Sequence, residues 1–392
     1  MPPPSPPTLS LRKNLREAIT AGHPWIYDGA VDAGSRELRA GELVRIRDRR
    51  GPVALGFVDP ASPIRVRVLD RDAGARLDDD WVAHRVRTAA ALRLDEPRLA
   101  GTDALRAIHG ENDFMPGLIV DVYAGVAVIV VDGPAAEAFW APRIKIVLAT
   151  LADAGIPIGR HLLRGGRRAD RARGTPDRVQ IREHGARFEV DVAQGQKTGF
   201  FLDQRENRRL LGELAAGATV LNLFGYTGGF SIHAGLGGAA RVCTVDLAAP
   251  AIAAARRNWE LNGLAPSAHE ALAVDAFEFA RAAAEHGRRW DIVICDPPSF
   301  APSERARPKA LKAYRRINAL ALGLVAPGGR LLTASCSSHI TEADLIALVG
   351  GAATDARRRL RLIEARGADR DHPVLPAFPE GRYLSALFCA ID

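Results

Sequence analysis

Four polar residues in the second half of the chain each follow a short apolar segment, and their chemical types suit ligand binding and catalysis. Asp246, Asp275 and Asp296 carry carboxylates that accept hydrogen bonds, and Cys336 carries a thiol that can act as a nucleophile. In a parallel sheet the carboxyl ends of the strands meet at one edge, where ligands bind. The pattern therefore predicts that these four side chains surround one site.

A glycine-rich turn at residues 225–229 follows another apolar segment and is the predicted cofactor-binding loop. Glycine allows the backbone to approach a ligand closely. The turn lacks the G-x-G-x-x-G spacing of dinucleotide-binding proteins and the Gly-Lys-Ser/Thr of a P-loop. The residues predicted to contact the cofactor here are Asn222, Phe224, Gly225, Tyr226, Thr227 and Gly228.

The acids at the next two strand ends help to decide between a ligand site and a tight β–α connection without a ligand. Asp246 is placed to bind ribose hydroxyls, and Asp275 is placed to accept a hydrogen bond from an adenine amino group. An empty connection would need neither acid. The combination favours S-adenosylmethionine (SAM) as the cofactor.

The segment at 196–208 precedes the first strand of this region and is rich in groups that can hydrogen-bond a ligand. Phe200 or Phe201 is predicted to cover the cofactor and Gln204 to bond to it. The alternative for the arginines here, Arg205, Arg208 and Arg209, is a solvated helix face.

The turn after the fourth strand reads Asp296-Pro297-Pro298-Ser299-Phe300. Two prolines make the turn rigid and remove two N–H donors, so its carbonyl groups and Asp296 can face a planar base. Phe300 can stack on such a base. The turn predicts a methyltransferase that acts on a nucleobase or another planar amine, with Pro297, Pro298 and Phe300 at the substrate base.

Cys336 lies in a Ser-Cys-Ser turn after the fifth strand and is predicted to act on carbon 5 of a cytosine. That carbon is a poor nucleophile until a thiolate adds to carbon 6, and Asp296 would then hold or protonate ring nitrogen N3. The alternative is a small buried residue, as most lone cysteines are. We favour that alternative for Cys243, Cys295 and Cys389, which lie within apolar strands.

The elements that must position these residues alternate between strands and helices from about residue 195 to the end, which predicts a parallel sheet with helices on both faces. Five strands are predicted at 219–224, 241–246, 271–275, 290–295 and 329–335, and helices at 230–236, 250–262, 276–286 and 309–324.

Two further segments precede this α/β region. Short alternating strands at 42–47, 53–58 and 64–69, after a helix at 11–19, predict a small β-barrel. From about 81 to 192 the pattern is strand, strand, helix, strand, strand, with a basic loop at 164–178 that we expect to be mobile.

Composition agrees with an RNA partner but does not prove one. The chain has 392 residues, a formal net charge of +7 and 47% apolar residues, and its sequence pI is about 9.6. A basic surface suits a polyanion, although an arginine-rich genome would also produce it. No apolar run approaches the length of a membrane span, and the leader is not a signal peptide, so we expect no membrane association and a cytoplasmic location. The four cysteines form no metal-binding cluster, so no metal is predicted.

The chain resembles the bacterial large-subunit ribosomal RNA cytosine-5 methyltransferases. The resemblance is carried by residues 196–208, 222–229, 296–300 and 335–337, and by 110–113 and 116–121 in the middle of the chain. It implies SAM as the cofactor, ribosomal RNA as the substrate, Cys336 as the nucleophile and Asp296 as its partner on the base. One departure is Gly225, which stands where the family often has cysteine, and another is the short, arginine-rich loop at 164–178.

The resemblance also implies an order of domains. It places a disordered lead at 1–8, a PUA-like RNA-binding domain at 9–75, a central α+β domain at 76–193 and a Rossmann-like SAM methyltransferase domain with a mostly parallel seven-stranded sheet at 194–392.

Two other functions remain open at this stage. The chain could methylate an exocyclic amine or a guanine nitrogen of RNA, which requires Asp296 but not Cys336. It could also be a non-enzymatic RNA-binding factor in ribosome assembly that kept the fold. The sequence does not identify the modified nucleotide, the form of the RNA substrate, the base that removes the carbon-5 proton or the oligomeric state, a homodimer included.

Overall fold

The computed structural model describes residues 5–164, 171–301 and 303–392. These residues form two compact units. The first unit comprises Met1–Ile181, Val190–Leu202 and Arg370–Gly381, and the second comprises Arg182–Glu189, Asp203–Asp369 and Arg382–Asp392. The predicted domain boundaries at 8, 75 and 193 stay predictions. Of the predicted disordered lead, residues 1–4 lie outside the described residues, and Thr8 already begins a strand.

The N-terminal part of the first unit is a five-stranded sheet. Its elements are β1 (Thr8–Ser10), α1 (Arg16–Ala21), β2 (Trp25–Tyr27), β3 (Leu43–Asp48), β4 (Gly51–Val58) and β5 (Ile64–Asp70). The strand order is β1-β3-β4-β5-β2, in which β1 and β3 are parallel and the other pairs are antiparallel. The three strands predicted from alternation are present. The predicted helix at 11–19 instead begins at Arg16 and ends at Gly22, whose φ of 115° only glycine adopts easily.

A four-stranded sheet with three helices forms the rest of the first unit. Its elements are α2 (Asp79–Leu94), β6 (Ala104–His109), β7 (Leu118–Tyr123), β8 (Val126–Val131), α3 (Gly133–Trp140), α4 (Ile144–Asp153) and β9 (Arg160–Arg164). The strand order is β6-β7-β8-β9. This sheet has two strands, β6 and β9, that the predicted central pattern lacked. Arginine interrupts β6 at Arg106 and occupies both ends of β9, so the apolar pattern of these strands is weak in the sequence.

Charged residues inside the first unit are paired. Arg93 donates two hydrogen bonds to Asp113 at 2.8 and 2.7 Å, and Arg106 donates two to Asp121 at 2.8 and 2.9 Å; all four side chains are buried. Two parallel bonds to one carboxylate are the strongest way to satisfy a buried arginine. These pairs lock the helix and turn to the four-stranded sheet.

The hairpin of β10 (Arg178–Glu183) and β11 (Ala186–Asp191) is a separate two-stranded sheet rather than part of the four-stranded one. Its tip, Arg182–Glu189, belongs to the second unit. The predicted mobile loop at 164–178 falls largely on residues 165–170, which lie outside the described residues.

The second unit is built on a seven-stranded, mostly parallel sheet, which confirms the predicted fold class. Its elements are α5 (Arg205–Glu213), β12 (Thr219–Leu223), α6 (Gly229–Leu236), β13 (Arg241–Asp246), α7 (Ala249–Leu261), β14 (His269–Ala273), α8 (Ala276–Glu285), β15 (Trp290–Cys295), α9 (Arg307–Gly323), β16 (Val325–Ser335), α10 (Glu342–Asp355), β17 (Leu360–Arg366) and β18 (Ser385–Ile391). The strand order is β14-β13-β12-β15-β16-β18-β17. Only the pairs that involve β18 are antiparallel.

Helices cover both faces of this sheet, because successive strand residues point to opposite sides. Leu221 packs with the buried residues of α8, α9 and α10, whereas its neighbour Val220 packs with those of α5, α6 and α7. Because β12, β13, β14, β15 and β16 are parallel, their carboxyl ends meet at one edge of the sheet, and the sites described below lie there.

Among the described residues, none of the helices has both the length and the apolar character that crossing a membrane requires.

Candidate functional site

The turn after β12 has an unusual backbone conformation. Phe224 and Tyr226 have positive φ angles of 59° and 46°, and Gly228 has a φ of 84°. Residues other than glycine rarely adopt positive φ angles, and such backbone strain is often found at functional sites. The Gly225 amide donates to the Val245 carbonyl at 2.9 Å, which anchors the strained turn to the neighbouring strand.

Two glycines of this turn pack so closely against their neighbours that a side chain has no room. A Cβ at Gly225 would lie 2.5 Å from Thr244 Cγ2 and 2.9 Å from Asn222 Nδ2. A Cβ at Gly228 would lie 2.8 Å from Ile232 Cδ1. The glycine at 225, which departs from the cysteine common in the resembling family, is therefore required by its neighbours in this chain.

Two buried oxygen atoms at the turn lack a hydrogen-bond partner among the described residues. They are Oδ1 of Asn222 and Oγ1 of Thr227. The other side of the Asn222 amide donates to Ser231 Oγ at 2.9 Å, which fixes its orientation. Because an unsatisfied buried acceptor is costly, both atoms suit a ligand that brings donors to the turn. The residues predicted for the cofactor thus fit such a group.

Asp246 ends β13, as predicted, and is held by the backbone on both sides. Its Oδ2 accepts a hydrogen bond from the Tyr226 amide at 2.9 Å, and its Oδ1 accepts one from the Ala248 amide at 2.9 Å. Each carboxylate oxygen keeps a further lone pair for a ribose hydroxyl. The next residue, Leu247, has 73% of its surface exposed, which is a feature that sequence reasoning missed.

Asp275 lies differently from its predicted position. Strand β14 ends at Ala273, and Asp275 is the N-cap of α8, where its Oδ1 accepts a hydrogen bond from the Glu278 amide at 3.0 Å. The spacing of Asp275 and Glu278 is that of a capping sequence, and this signal was available in the sequence. The preceding residue, Val274, is 39% exposed. The role of Asp275 toward adenine stays a prediction.

The two predicted catalytic residues follow neighbouring parallel strands. Asp296 follows β15 and Cys336 follows β16, and the register pairs Cys295 with Thr333. Both side chains are partly exposed. Ser337 Oγ donates to the Ala301 carbonyl at 3.0 Å and so ties together the loops that carry the two residues.

The predicted substrate-base residues are divided by exposure. Pro297 is buried, Pro298 is exposed, and Phe300 is partly buried. The Phe300 ring lies 6.4 Å from the ring of Phe277 and 4.9 Å from that of Tyr314. Stacking of Phe300 on a substrate base stays a prediction.

Tyr314, on α9, is a site residue that the sequence analysis missed. Its hydroxyl accepts a hydrogen bond from Ser335 Oγ at 3.1 Å. Burial, together with the nearby Cys336 and Asp296, raises the pKa of Tyr314 to about 12. Tyr314 is therefore a neutral phenol at physiological pH, within electrostatic reach of both predicted catalytic residues. Only the packing of α9 reveals it, because no local motif marks it.

Cys336 differs from the other three cysteines. Cys243, Cys295 and Cys389 are buried, whereas Cys336 is partly exposed. Burial raises the pKa of both Cys243 and Cys389 to about 12 and raises that of Cys295 as well. These three thiols stay protonated at neutral pH and are poor nucleophiles. No group of three or more potential metal ligands occurs in the described part of the chain.

Gln204 contacts a catalytic candidate. Its Nε2 donates to Asp296 Oδ2 at 3.0 Å, and its Oε1 accepts a hydrogen bond from Asn207 Nδ2 at 2.6 Å. Its predicted bond to the cofactor stays a prediction. Phe200 belongs to the first unit, where it is buried and its carbonyl accepts a hydrogen bond from the Tyr123 hydroxyl at 3.4 Å. Its predicted role as a cover for the cofactor also stays a prediction.

The alternative of a solvated face for Arg205 and Arg208 is wrong, because both are buried in an ion cluster. Arg208 donates to both oxygens of Glu183, from Nε at 2.7 Å and from NH2 at 2.6 Å, and His233 Nε2 lies 3.0 Å from Glu183 Oε1. Arg205 pairs with Asp369. We call this set the Glu183 cluster; its members are Glu183, Arg205, Arg208, His233 and Asp369.

Comparison with known proteins gives the family. Residues 106–372 match the S-adenosylmethionine-dependent methyltransferase family, and residues 9–71 match the PUA-like domain. A ribosomal RNA large subunit methyltransferase of Deinococcus radiodurans is 40% identical over 99% of this chain and 98% of its own length. The ribosomal RNA large subunit methyltransferase I of Salmonella gallinarum is 35% identical over 99% of this chain and 98% of its own length.

A solved structure shows the same fold. The crystal structure of SMU.776 complexed with SAH superposes with a TM-score of 0.85 at 20% identity, over 98% of this chain and 100% of that one. The fold, the two matched regions and the full-length relatives agree: the chain belongs to the S-adenosylmethionine-dependent methyltransferase family of the ribosomal RNA large subunit methyltransferases, with an N-terminal PUA-like domain.

Proposed function

We propose that this enzyme methylates carbon 5 of a cytosine in large-subunit ribosomal RNA through a covalent adduct with Cys336. The observation that carries the proposal is the position of Cys336. It is the one partly exposed thiol of the four cysteines, and it follows the strand next to the one that Asp296 follows. A nucleophile beside a carboxyl group is the pair that this chemistry needs.

The RNA substrate is inferred from the relatives and from charge. The full-length relatives are named ribosomal RNA large subunit methyltransferases. The chain has a net charge of +7, which suits contacts with phosphates. A cytosine in a folded RNA must leave its stack to reach a side chain at a strand end, so we expect the target base to be flipped out.

SAM is the cofactor, and when bound it supplies a methyl group on a positively charged sulfur. The proposed contacts to SAM come from the turn after β12 and from Asp246. Asn222 and Thr227 offer unsatisfied acceptors, Gly225 and Gly228 allow the close packing that holds the turn in its conformation, and Asp246 offers lone pairs to the ribose. A half-buried carboxylate whose two oxygens are held by backbone amides keeps its orientation without the ligand.

The proposed steps use two side chains of this chain. The Cys336 thiolate forms a bond to carbon 6, and the electron pair of the 5,6 double bond moves toward ring nitrogen N3, which takes a proton from Asp296. Carbon 5 then bonds to the methyl carbon, whose former bonding pair stays on the donor sulfur. A base removes the proton from carbon 5, the double bond re-forms as the bond from sulfur to carbon 6 breaks, and N3 returns its proton to Asp296.

The Cys336→Ala variant tests the proposal against transfer to a nitrogen. Wild-type and variant enzyme are incubated with labelled SAM and bulk ribosomal RNA, and the methylated nucleosides are separated. We expect 5-methylcytidine from the wild type and a loss of at least 1,000-fold in Cys336→Ala, because the nucleophile is gone. Cys389→Ala, which truncates a buried thiol, is the matched control and should keep activity.

A trapped adduct provides the positive test. RNA that carries 5-fluorocytosine has no removable proton on carbon 5, so the bond from Cys336 to carbon 6 should persist and survive denaturing electrophoresis. Methylation retained by Cys336→Ala would overturn the cytosine-5 proposal in favour of transfer to an exocyclic amine or a guanine nitrogen. Failure of the wild type to bind SAM in calorimetry would favour a non-enzymatic RNA-binding role.

A further inference from the structure

A chain of three hydrogen bonds connects Asp296 to an arginine at the edge of the sheet. Gln204 donates to Asp296 Oδ2 at 3.0 Å, Asn207 Nδ2 donates to Gln204 Oε1 at 2.6 Å, and Arg366 Nε donates to Asn207 Oδ1 at 2.9 Å. We call this set the amide relay; its members are Asp296, Gln204, Asn207 and Arg366. All four lie in the second unit.

The direction of every bond in the amide relay follows from Arg366. A guanidinium has donors and no acceptor, so the oxygen of the Asn207 amide must face it. The NH2 group of Asn207 then faces Gln204, which must present its oxygen in return. The NH2 group of Gln204 is therefore left for Asp296. An amide has no such preference by itself, because its two ends are nearly equal in shape.

Burial prevents water from relaxing this order. The side chains of Gln204 and Asn207 are 2% and 1% exposed, and Arg366 is held on its other side by Glu364 Oε1 at 2.6 Å. Inside a protein, hydrogen bonds in a chain polarise one another, and a reversed amide would leave mismatched groups that water cannot satisfy. The polarity of the amide relay is thus set in the folded chain before any substrate binds.

We propose that Asn207 and Arg366 are positioning residues that keep Asp296 Oδ2 as a hydrogen-bond acceptor, so that the proton exchanged with the substrate base is carried on Oδ1. This inference rests on the proposed function, in which Asp296 gives a proton to ring nitrogen N3 and takes it back. The hydrogen bond that Oδ2 accepts from Gln204 at 3.0 Å makes this oxygen less basic than Oδ1, so the proton binds preferentially to Oδ1. The amide relay therefore directs the single exchangeable proton to the other oxygen of the carboxyl group.

The Asn207→Asp variant reverses the relay while keeping its shape. An aspartate at 207 still accepts from Arg366 but has no N–H for Gln204, so Gln204 turns its NH2 group toward position 207 and its oxygen toward Asp296. Two oxygens that face each other at 3.0 Å require a proton between them. That proton would occupy Oδ2 and would be withheld from the base.

We expect Asn207→Asp to lower kcat for methyl transfer by at least 30-fold at neutral pH. We also expect it to move the limb of the pH profile of kcat that belongs to Asp296 by about one pH unit or more toward higher pH. Cys295 on β15 and Tyr314 from α9 interact electrostatically with Asp296, and Cys336 after β16 interacts with Tyr314. They are unchanged in the variant, so a shift of the limb reports on the relay.

Asn207→Ala separates the relay from packing. It removes the orienting amide without imposing the reverse polarity, so its loss of kcat should be smaller than that of Asn207→Asp, and its pH profile should stay near that of the wild type. A purely structural role predicts the opposite order, because alanine leaves a void whereas aspartate has nearly the shape of asparagine. Asn262→Asp, an amide-to-acid change outside the relay, is the control for added charge and should keep the wild-type profile.

The measurement is the initial rate of transfer of label from SAM to RNA at a series of pH values, with thermal unfolding and SAM affinity of each full-length variant. The inference is overturned if Asn207→Ala loses more kcat than Asn207→Asp, or if the two pH profiles coincide. Failure of the proposed function is distinguishable, because it appears in the wild type as a methylated nucleoside other than 5-methylcytidine, whatever the rank of the variants.

Discussion

Two carboxylates of the second unit, Glu183 and Asp296, have opposite surroundings. Glu183 is fully buried and accepts hydrogen bonds from Arg208 at 2.7 and 2.6 Å, with His233 3.0 Å away. Asp296 is partly exposed, and Gln204, which donates to it at 3.0 Å, is a neutral amide. Glu183 thus accepts its hydrogen bonds from charged groups, whereas the hydrogen bond from Gln204 to Asp296 comes from a neutral group.

The difference in partner decides what each acid can do. Burial alone would raise the pKa of Glu183, but Arg208 and His233 outweigh it and lower the pKa well below its usual range. Such a group keeps its negative charge at any physiological pH and cannot exchange a proton. A hydrogen bond from a neutral amide orients a carboxyl group without placing a full charge beside it. The buried, paired charge of Glu183 thus stabilises this fold, whereas the partly exposed Asp296 is accessible to a substrate.

The largest effect should come from changing the exposed acid to its amide. Asp296→Asn keeps the shape and the contact with Gln204 but removes the exchangeable proton, so we expect activity to fall about 1,000-fold, or roughly 4 kcal/mol in transition-state free energy. The free energy of unfolding should change by less than about 1 kcal/mol. The rate of methyl transfer measures the activity, and urea unfolding measures the free energy of unfolding. Asp291→Asn, at the other end of β15, is the control, and near-normal activity of Asp296→Asn would refute the role of this acid.

The same chemical change at the buried acid should have the reverse outcome. Glu183→Gln removes the buried carboxylate that accepts both hydrogen bonds from Arg208, and we expect a loss of about 3 kcal/mol in the free energy of unfolding. Activity of the enzyme that remains folded should stay within about threefold. Glu213→Gln, which breaks an exposed pair with Arg209, should cost less than about 0.5 kcal/mol. If the two glutamine variants were equally stable, the Glu183 cluster would not carry the stability assigned to it.

Acid should weaken the fold through the same cluster. The folded pKa of Glu183 is lowered, so its stabilisation is present above the unfolded pKa of about 4.5 and is lost as the pH falls. Burial lowers the pKa of His233, so protonation of this imidazole in the unfolded chain favours unfolding below about pH 6.5. Both effects have the same sign. The melting temperature should fall between pH 7 and pH 4, and a melting temperature that stays constant over this range would contradict this.

A smaller effect is expected at the turn after β12. Gly225→Ala places a Cβ 2.5 Å from Thr244 Cγ2 and 2.9 Å from Asn222 Nδ2, so the Asn222 amide must move. We expect SAM to bind about tenfold more weakly, or roughly 1.4 kcal/mol, in calorimetry. Gly323→Ala has open space around its Cβ and should bind SAM as the wild type does. Equal affinities would show that SAM does not depend on this turn.

The smallest effect should come from Tyr314→Phe. This change removes the hydroxyl that accepts a hydrogen bond from Ser335 at 3.1 Å and leaves the ring beside Phe300. We expect kcat to fall about threefold and the free energy of unfolding by about 1 kcal/mol, the usual value of one hydrogen bond. A loss of activity above about 30-fold would instead make Tyr314 a catalytic residue and would weaken the contrast between the surroundings of Glu183 and Asp296.

Most of the architecture could be read from the chain, because it depends on local periodicity. The alternation of apolar segments with helical ones predicted the parallel sheet, and the residues after its strands predicted the site at Asp246, Asp296 and Cys336. Strand and helix patterns repeat over a few residues, and the right-handed crossover leaves one arrangement for their ends. Asp275 was wrongly predicted as a strand end, although the sequence carries its capping partner Glu278 three residues later.

The partners of those residues depended on contacts between distant parts of the chain. Gln204 and Asp296 are 92 positions apart, and Asn207 and Arg366 are 159 apart. Glu183 meets Arg208 only because the hairpin tip packs in the second unit. The local sequence pattern does not distinguish an arginine on a solvent-exposed helix face from one that neutralises a buried carboxylate. Sequence therefore identified which groups follow the strands. Tertiary structure decided which residues contact those groups and which of them are buried, because both properties depend on packing between distant parts of the chain.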